Sequence, residues 1–422
     1  MKNINLYENL AYLRDLIKEN SKNIIFLGSW HGVQETHDLL IKFIKFFCNE
    51  GFRDVILELP VAAEEFYNFY LKTGKLEYWP SYSFPIIFKQ LHEFYETLPE
   101  NKKIHLWCID IDHDSIATDM YLNNYIRNIR NKEIRSRALH LWDSFKELIL
   151  QSMVKAFQKI DIKAYDEFKR VIKENNAIRA SMSFLSSWFH EVSEAKIKLF
   201  LRIFHGLLRS NIELRLNYIL HLKRILRRIE KEESLEQVIT VLSALEKGIR
   251  LSTYSLNSKE FIIKREAFLK EQFKRILKLK KEKIKAIAFL GSWHIMKAPY
   301  NGITSVGAEI AKDMGSEKLY SIFTTIYDGE WCNTFTGKTY PLPKISSNSF
   351  EAELLKIMEK EKINDVVFLN LLDIIRKIRY TLSVRVNVPV DPKFYDGCIL
   401  IRKAHKLRYL LFPFKENESL KI

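Results

Sequence analysis

The sequence predicts an α/β fold, a mostly parallel sheet flanked by helices and interrupted by a long α-helical insertion. Three observations predict it. Two short runs, NIIFLG at 23–28 and DVILEL at 54–59, have unbroken apolar centres and enclose a helical pattern. Buried parallel strands look like this when helices cover both faces of the sheet. From about residue 115 to 280, Pro and Gly almost vanish and helical periodicity is nearly continuous. Strand and helix then alternate again from about residue 284. The chain has 422 residues, of which 47% are hydrophobic, enough for a large core. Only 13 Gly and 10 Pro leave few tight turns, which argues against an all-β protein.

The elements follow in order. The first 20 residues read as an amphipathic helix with charges throughout, lacking the apolar centre and cleavage site of a signal peptide. After the strand at 23–28, Leu39, Leu40, Phe43, Ile44 and Phe47 mark the buried face of a helix reaching about residue 50. The strand at 54–59 stops at Pro60, and IHLWCIDI at 104–111 is a third. Residues 1–118 and 261–422 are expected to form a split α/β catalytic domain, and 119–260 the helical insertion. Leu139, Leu141, Phe145, Leu148 and Leu150 recur there among charges. The second half offers a strand at 285–291, a helix at 302–314, a strand at 318–324, a helix at 349–361 and a strand at 365–370. CILIR (398–402) and YLLFP (409–413) are expected as edge strands.

The net charge of +15 admits an anionic ligand. Acids interleave with the bases, however, and KEE follows the basic run Lys223, Arg224, Arg227, Arg228, so that run reads as a solvated helix face and nucleic acid is not expected. Cys48, Cys108, Cys332 and Cys398 form no C-x-x-C pair and read as small buried hydrophobes in a reducing compartment. No uncharged run approaches the roughly 20 residues of a membrane span. A cytoplasmic protein is expected.

The chemistry lies in a repeat. Residues 26–31 and 289–294 are both FLGSWH, in a chain with only 7 Trp and 11 His. Each copy is an apolar strand, a Gly that permits a sharp turn, and a His three residues later. Such a His projects into the crevice above the strand ends, where open α/β sheets bind ligands. Imidazole suits proton transfer near neutral pH and metal binding alike. Glu58 ends the second strand, where a buried carboxylate needs a partner or a function. The third strand ends in Asp110 and Asp112. Four strand ends thus supply His31, Glu58, Asp110 and His294. Trp30 and Trp293 either wall an apolar pocket or pack as core, core packing being favoured. Tyr300 is a candidate cleft residue beside them.

The series GSWH, LELP, CID, KREAFLKEQFKRIL and FLGSWH resembles the erythromycin esterase-like proteins, in a wider group with ChaN-type haem-binding proteins and TraB/Tiki-type proteins. The resemblance covers roughly 20–60, 104–112 and 260–402 and extends to SSNSFEAELLKIM (346–358) and FYDGCILI (394–401). That family carries Gly-Glu-x-x-His, a strand-borne Glu, an Arg-Asp pair on a helix and a late His. His31, Glu58 and His294 match the His residues and the Glu, and Arg265-Glu266 stands where the pair would be. The first motif is one residue shorter here, with Ser29 near the family's Glu, and Glu35 and His37 are candidate substitutes for that acid. The late His-Asn-x-His is reduced to His294.

The resemblance implies a metal-free esterase. On this reading His31, oriented by Glu58, acts as base on water attacking a carbonyl, and His294 stabilises developing charge or protonates the leaving group. No Gly-x-Ser-x-Gly elbow is present, so a serine nucleophile is not expected. The alternative is a metal-dependent hydrolase or peptidase of Tiki type, with His31, Glu58 and His294 as a two-His, one-carboxylate site for Zn, Mn or Fe. A second alternative is a protein that binds haem or another anionic ligand. The expected substrate is a small molecule or peptide, bulky or anionic.

Overall fold

The computed structural model describes residues 6–75, 83–111, 116–175, 178–229, 235–255, 258–281, 284–333, 338–360, 362–363, 365–374, 378–379, 382–385, 387–407 and 409–411. Among the described residues, seven strands carry the main sheet: β1 (Ile24–Ser29), β2 (Asp54–Pro60), β3 (His105–Asp110), β4 (Ala286–Gly291), β5 (Leu319–Cys332), β6 (Val366–Asn370) and β7 (Gly397–Ala404). Their spatial order is β3-β2-β4-β1-β5-β7-β6, and Thr339–Pro341 adds a short antiparallel partner to the far end of β5. All neighbours along this path are parallel except β7 and β6. The α/β expectation is therefore met, including its mostly parallel sheet.

Strand alternation divides the core in two. Ile25, Leu27, Val55, Leu57, Leu106, Ile287 and Ile322 point to one face. Ile24, Phe26, Ile56, Ile109, Ala288, Leu290 and Phe323 point to the other. Helices α1 (Leu6–Glu19), α2 (Gln34–Phe47), α3 (Glu64–Thr73) and α4 (Ile86–Thr97) supply residues to the first face. Among the described residues, the helices that follow β3 are α5 (Ile116–Arg127), α6 (Lys132–Ile160), α7 (Ile162–Asn175), α8 (Ile178–Glu191), α9 (Glu194–Ser210), α10 (Ile212–Leu226) and α11 (Leu235–Leu251). Their Trp142, Phe157, Phe200 and Leu245 belong to the same apolar cluster as the first sheet face. Helices α12 (Lys259–Leu279), α13 (Val306–Met314) and α14 (Phe350–Lys360) cover the second face through Phe273, Ile310 and Leu354.

Two expectations at the carboxyl end need correction. CILIR lies in β7, which is an interior strand between β5 and β6, as its burial on both faces requires. Of the YLLFP run, Tyr409–Leu411 pairs with Ser83–Pro85 outside the main sheet, and residues 412–413 lie outside the described residues. The four cysteines are free and buried, as expected. Lys223 is buried against Glu246 at 2.6 Å, so only Arg224, Arg227 and Arg228 of the basic run are exposed. No described helix is long and apolar enough to cross a membrane.

Candidate active site

The two FLGSWH copies lie side by side on β1 and β4, but one residue out of register. Phe26 pairs with Ala288, Leu27 with Phe289, Gly28 with Leu290 and Ser29 with Gly291. A slip of one residue turns every side chain to the opposite face. Phe26 accordingly packs on Phe273 under α12, whereas Phe289 meets the His37 ring on the α2 side. Trp30 packs against the first core cluster and Trp293 against the second, both partly buried. The slip also stacks the copies: a Cβ on Gly28 would stand 2.5 Å from Ser292 Oγ and 3.0 Å from Phe323 Cα. Glycine is required there by close approach.

The two loops then diverge. The second copy turns at once, His294 N donating to Gly291 O at 2.8 Å, which folds the imidazole back over the strand end. The first continues extended through Ser29 and leaves the His31 side chain 61% exposed. Glu58 stands between them. Its strand β2 is irregular here: Leu57 faces Cys108 but Pro60 faces Asp110, so an extra residue bulges out of the ladder at Glu58 and Leu59. A bulge re-aims side chains, and this one aims Glu58 across β4. Glu58 Oε2 accepts from Gly291 N at 2.6 Å, and its Oε1 lies 3.3 Å from His294 Nε2 and 3.9 Å from His31 Nε2. The second distance is too long for a hydrogen bond.

Helix α12 completes the cluster. Arg265 Nη2 donates to Glu58 Oε1 at 2.6 Å and to Asp110 Oδ2 at 2.5 Å, and Nε donates to Asp110 Oδ1 at 3.1 Å. This fork on a carboxylate is the geometry for which guanidinium is suited. The next residue, Glu266, pairs with His294 Nδ1 and accepts from Val306 N at 2.8 Å. Ser305 caps α13, accepting from Ala308 N, so Glu266 sits on the helix's positive end. Gly307 lets that first turn approach closely, since a Cβ there would lie 2.6 Å from the Ile295 carbonyl carbon. Chain order alone hides this contact; the signal for it is Ser305 immediately before a helical run.

The charges in this cluster are interdependent. Burial pulls the His294 imidazole down, but Glu58 and Glu266 outweigh it and raise it to about 10. Burial raises Glu58, but His294, Arg265 and His31 hold it well below the usual carboxylate range. Burial opposes the Arg265 cation, and Asp110 and Glu58 more than restore it. The raised value makes His294 an imidazolium at neutral pH, its Nδ1–H on Glu266 and its Nε2 in ion-pair range of Glu58 Oε1 at 3.3 Å. Arg265 Nη1 stands 3.3 Å from the same Nε2, a like-charged neighbour tolerated because three carboxyl groups surround the two cations.

The structure thus brings together His31, Glu58, Asp110, Arg265, Glu266 and His294, at the carboxyl ends of four adjacent strands and on α12. It does not bring Glu35 or His37 to that cluster. Glu35 takes His405 instead, Oε1 meeting its Nδ1 at 2.5 Å and Oε2 its backbone N at 2.9 Å. His37 Nδ1 is 3.0 Å from Val33 O, and burial drives its imidazole down to about 4, so it is neutral. Tyr300 packs edge-on to Phe394 over the second core cluster. Asp112 lies outside the described residues.

A two-His, one-carboxylate metal site fits this arrangement poorly. It needs Glu58 and both imidazole Nε2 atoms at about 2.0–2.2 Å from one cation. The Arg265 guanidinium already holds Glu58 Oε1 at 2.6 Å and stands 3.3 Å from His294 Nε2, on the atoms a cation would need.

No family model and no curated protein matches the chain. Among solved structures, a succinoglycan biosynthesis protein is similar at 15% identity over 96% of this chain and 94% of that one, with a TM-score of 0.58. A protein from Bacillus cereus is similar at 17% identity over 96% and 94%, with a TM-score of 0.51. A histidine-to-asparagine mutant of the erythromycin esterase EreC, in its open conformation, is similar at 14% identity over 96% of both chains, with a TM-score of 0.55. In fold, then, this chain is erythromycin esterase-like over nearly its whole length.

Proposed function

We infer that the chain is an esterase-like hydrolase that activates water on a carbonyl substrate. One observation carries the reading: Glu58 stands between an exposed imidazole and a buried imidazolium, at the crevice where sheets of this kind bind ligands. The likeness to an erythromycin esterase supports it at the level of fold.

In this reaction His31 is the base. Among the described residues it makes no hydrogen bond, so its Nε2 is open to water and substrate. It takes a proton as water oxygen bonds to the carbonyl carbon, and the carbonyl π electrons move to oxygen. His294 and Arg265 form a preorganised positive wall for that oxyanion. The tetrahedral adduct collapses, the C–O bond to the leaving group breaks, and the His31 imidazolium returns its proton to the departing oxygen. An imidazole raised to about 10 gives up its proton reluctantly, which favours His294 as charge stabiliser over leaving-group acid. Asp110 and Glu266 hold Arg265 and His294 in place.

The test is a panel of chromogenic esters, lactones and peptides with wild type, His31→Ala and His294→Ala. Each variant is expected to lower kcat by at least about a hundredfold, the usual worth of one acid–base or oxyanion group. Full turnover by His31→Ala would sink the proposal. Stoichiometric bound metal in the purified protein, lost in His31→Ala, would favour the metal-dependent alternative.

A further inference from the structure

The loop that carries His31 is tied to a distant part of the chain. Gly32 O accepts from Cys332 N and from Leu407 N, both at 2.9 Å. Gln34 N donates to His405 O at 2.9 Å, and Val33 bridges Lys406 in antiparallel fashion. Glu35 closes the contact by holding both the ring and the backbone N–H of His405. Gly32 has φ +79°, and a Cβ on it would stand 1.8 Å from Cys332 O. Only glycine fits that turn. Beyond the contact, Tyr409–Leu411 pairs with Ser83–Pro85.

The counterpart His294 is held by a buried carboxyl group on its ring. His31 has no such partner among the described residues, and Glu58 is out of hydrogen-bond range. Its position depends on the main chain on either side. We propose that Glu35, His405 and the segment 405–407 form a latch that positions His31 against Glu58. Glu35 and His405 are positioning residues, and the functional part of this statement rests on the hydrolytic reading.

The latch is tested in the full-length chain, with readouts that do not depend on catalysis. Wild type, Glu35→Gln, His405→Ala and the double variant are compared by NMR titration of the His31 ring and by hydrogen exchange of the Gln34 and Leu407 amides. Turnover of 4-nitrophenyl butyrate is measured alongside. Opening the latch should speed exchange of both amides by at least about tenfold and move the His31 titration in both single variants. It should lower kcat by about ten- to a hundredfold, with KM within about twofold, as expected for a misplaced catalytic group. The double variant should match the singles, because the pair acts as one unit. Unchanged amide exchange and unchanged His31 titration in both singles would overturn the latch. So would a fall in thermal stability without a change in that titration. Loss of the hydrolytic reading, through a fully active His31→Ala, leaves exchange and titration to judge the latch by themselves.

Discussion

At the scale of single residues, His294 is the group whose protonation the fold controls most strongly. Its folded value of about 10 exceeds the ordinary 6.5, so the folded state binds its proton more tightly than the unfolded chain does. The stability this contributes is complete below about pH 6.5 and declines as pH rises toward 10. Glu58, held low, stays ionised across that window and adds no slope. His294→Gln should therefore be most destabilising at pH 6.5, by about 3–5 kcal/mol, the usual loss when one partner of a buried ion pair is removed. The gap to wild type should narrow steadily toward pH 10. Urea midpoints at pH 6.5, 8 and 10 measure it, and a constant gap would show that the two carboxyl groups do not hold the proton.

At the scale of elements, the informative feature is the slip between β1 and β4. Both copies of FLGSWH form a strand and a turn, yet they serve opposite faces, and their serine and glycine interlock. Gly28→Ala should destabilise by about 1–3 kcal/mol, because the added methyl meets the β5 backbone as well as Ser292. Adding Ser292→Ala should recover part of that loss by removing the nearer obstacle. Denaturant midpoints of the two variants check this, and additive effects would mean that the copies do not touch as described. The strands, the alternation with helices and the four strand-end residues were legible in sequence because burial on both faces leaves unbroken apolar runs. The slip was not legible, since two identical hexapeptides say nothing about their mutual register. The β2 bulge that turns Glu58 and the main-chain ties of Gly32 were equally silent, because backbone donors and acceptors have no side-chain signature. Glu35 was read as a substitute for the acid missing from the shortened first motif; its partner His405 is 370 residues away.

At the scale of the whole molecule, helices α5–α11 and the sheet share one apolar cluster. It runs from Leu27 and Ile287 on the sheet through Trp142 on α6 and Phe200 on α9 to Leu245 on α11. Trp142 also donates to Asp119 of α5 at 2.9 Å, fastening two of those helices by a buried polar contact. Helix α12 joins the two regions: Phe261 and Phe268 belong to the shared cluster, Phe273 and Ile276 to the opposite sheet face, and Arg265 and Glu266 to the site. An inserted module with its own core would melt separately and leave the sheet folded. A helical region that packs through α5 and α11 on Val61–Ala63, directly after β2, cannot, because its loss exposes Val61 and Ala62 to water. A single cooperative transition is therefore expected, although chains of this length often unfold in steps. Far-ultraviolet circular dichroism reports mainly the helices, and the fluorescence of Trp30 or Trp293, isolated by replacing the other tryptophans, reports the strand ends. The two signals should share one midpoint, and calorimetric and van't Hoff enthalpies should agree. A helical transition several degrees below the loss of Trp30 fluorescence would divide the core. It would also show that Arg265 and Glu266 can hold the site without the helices packed behind them.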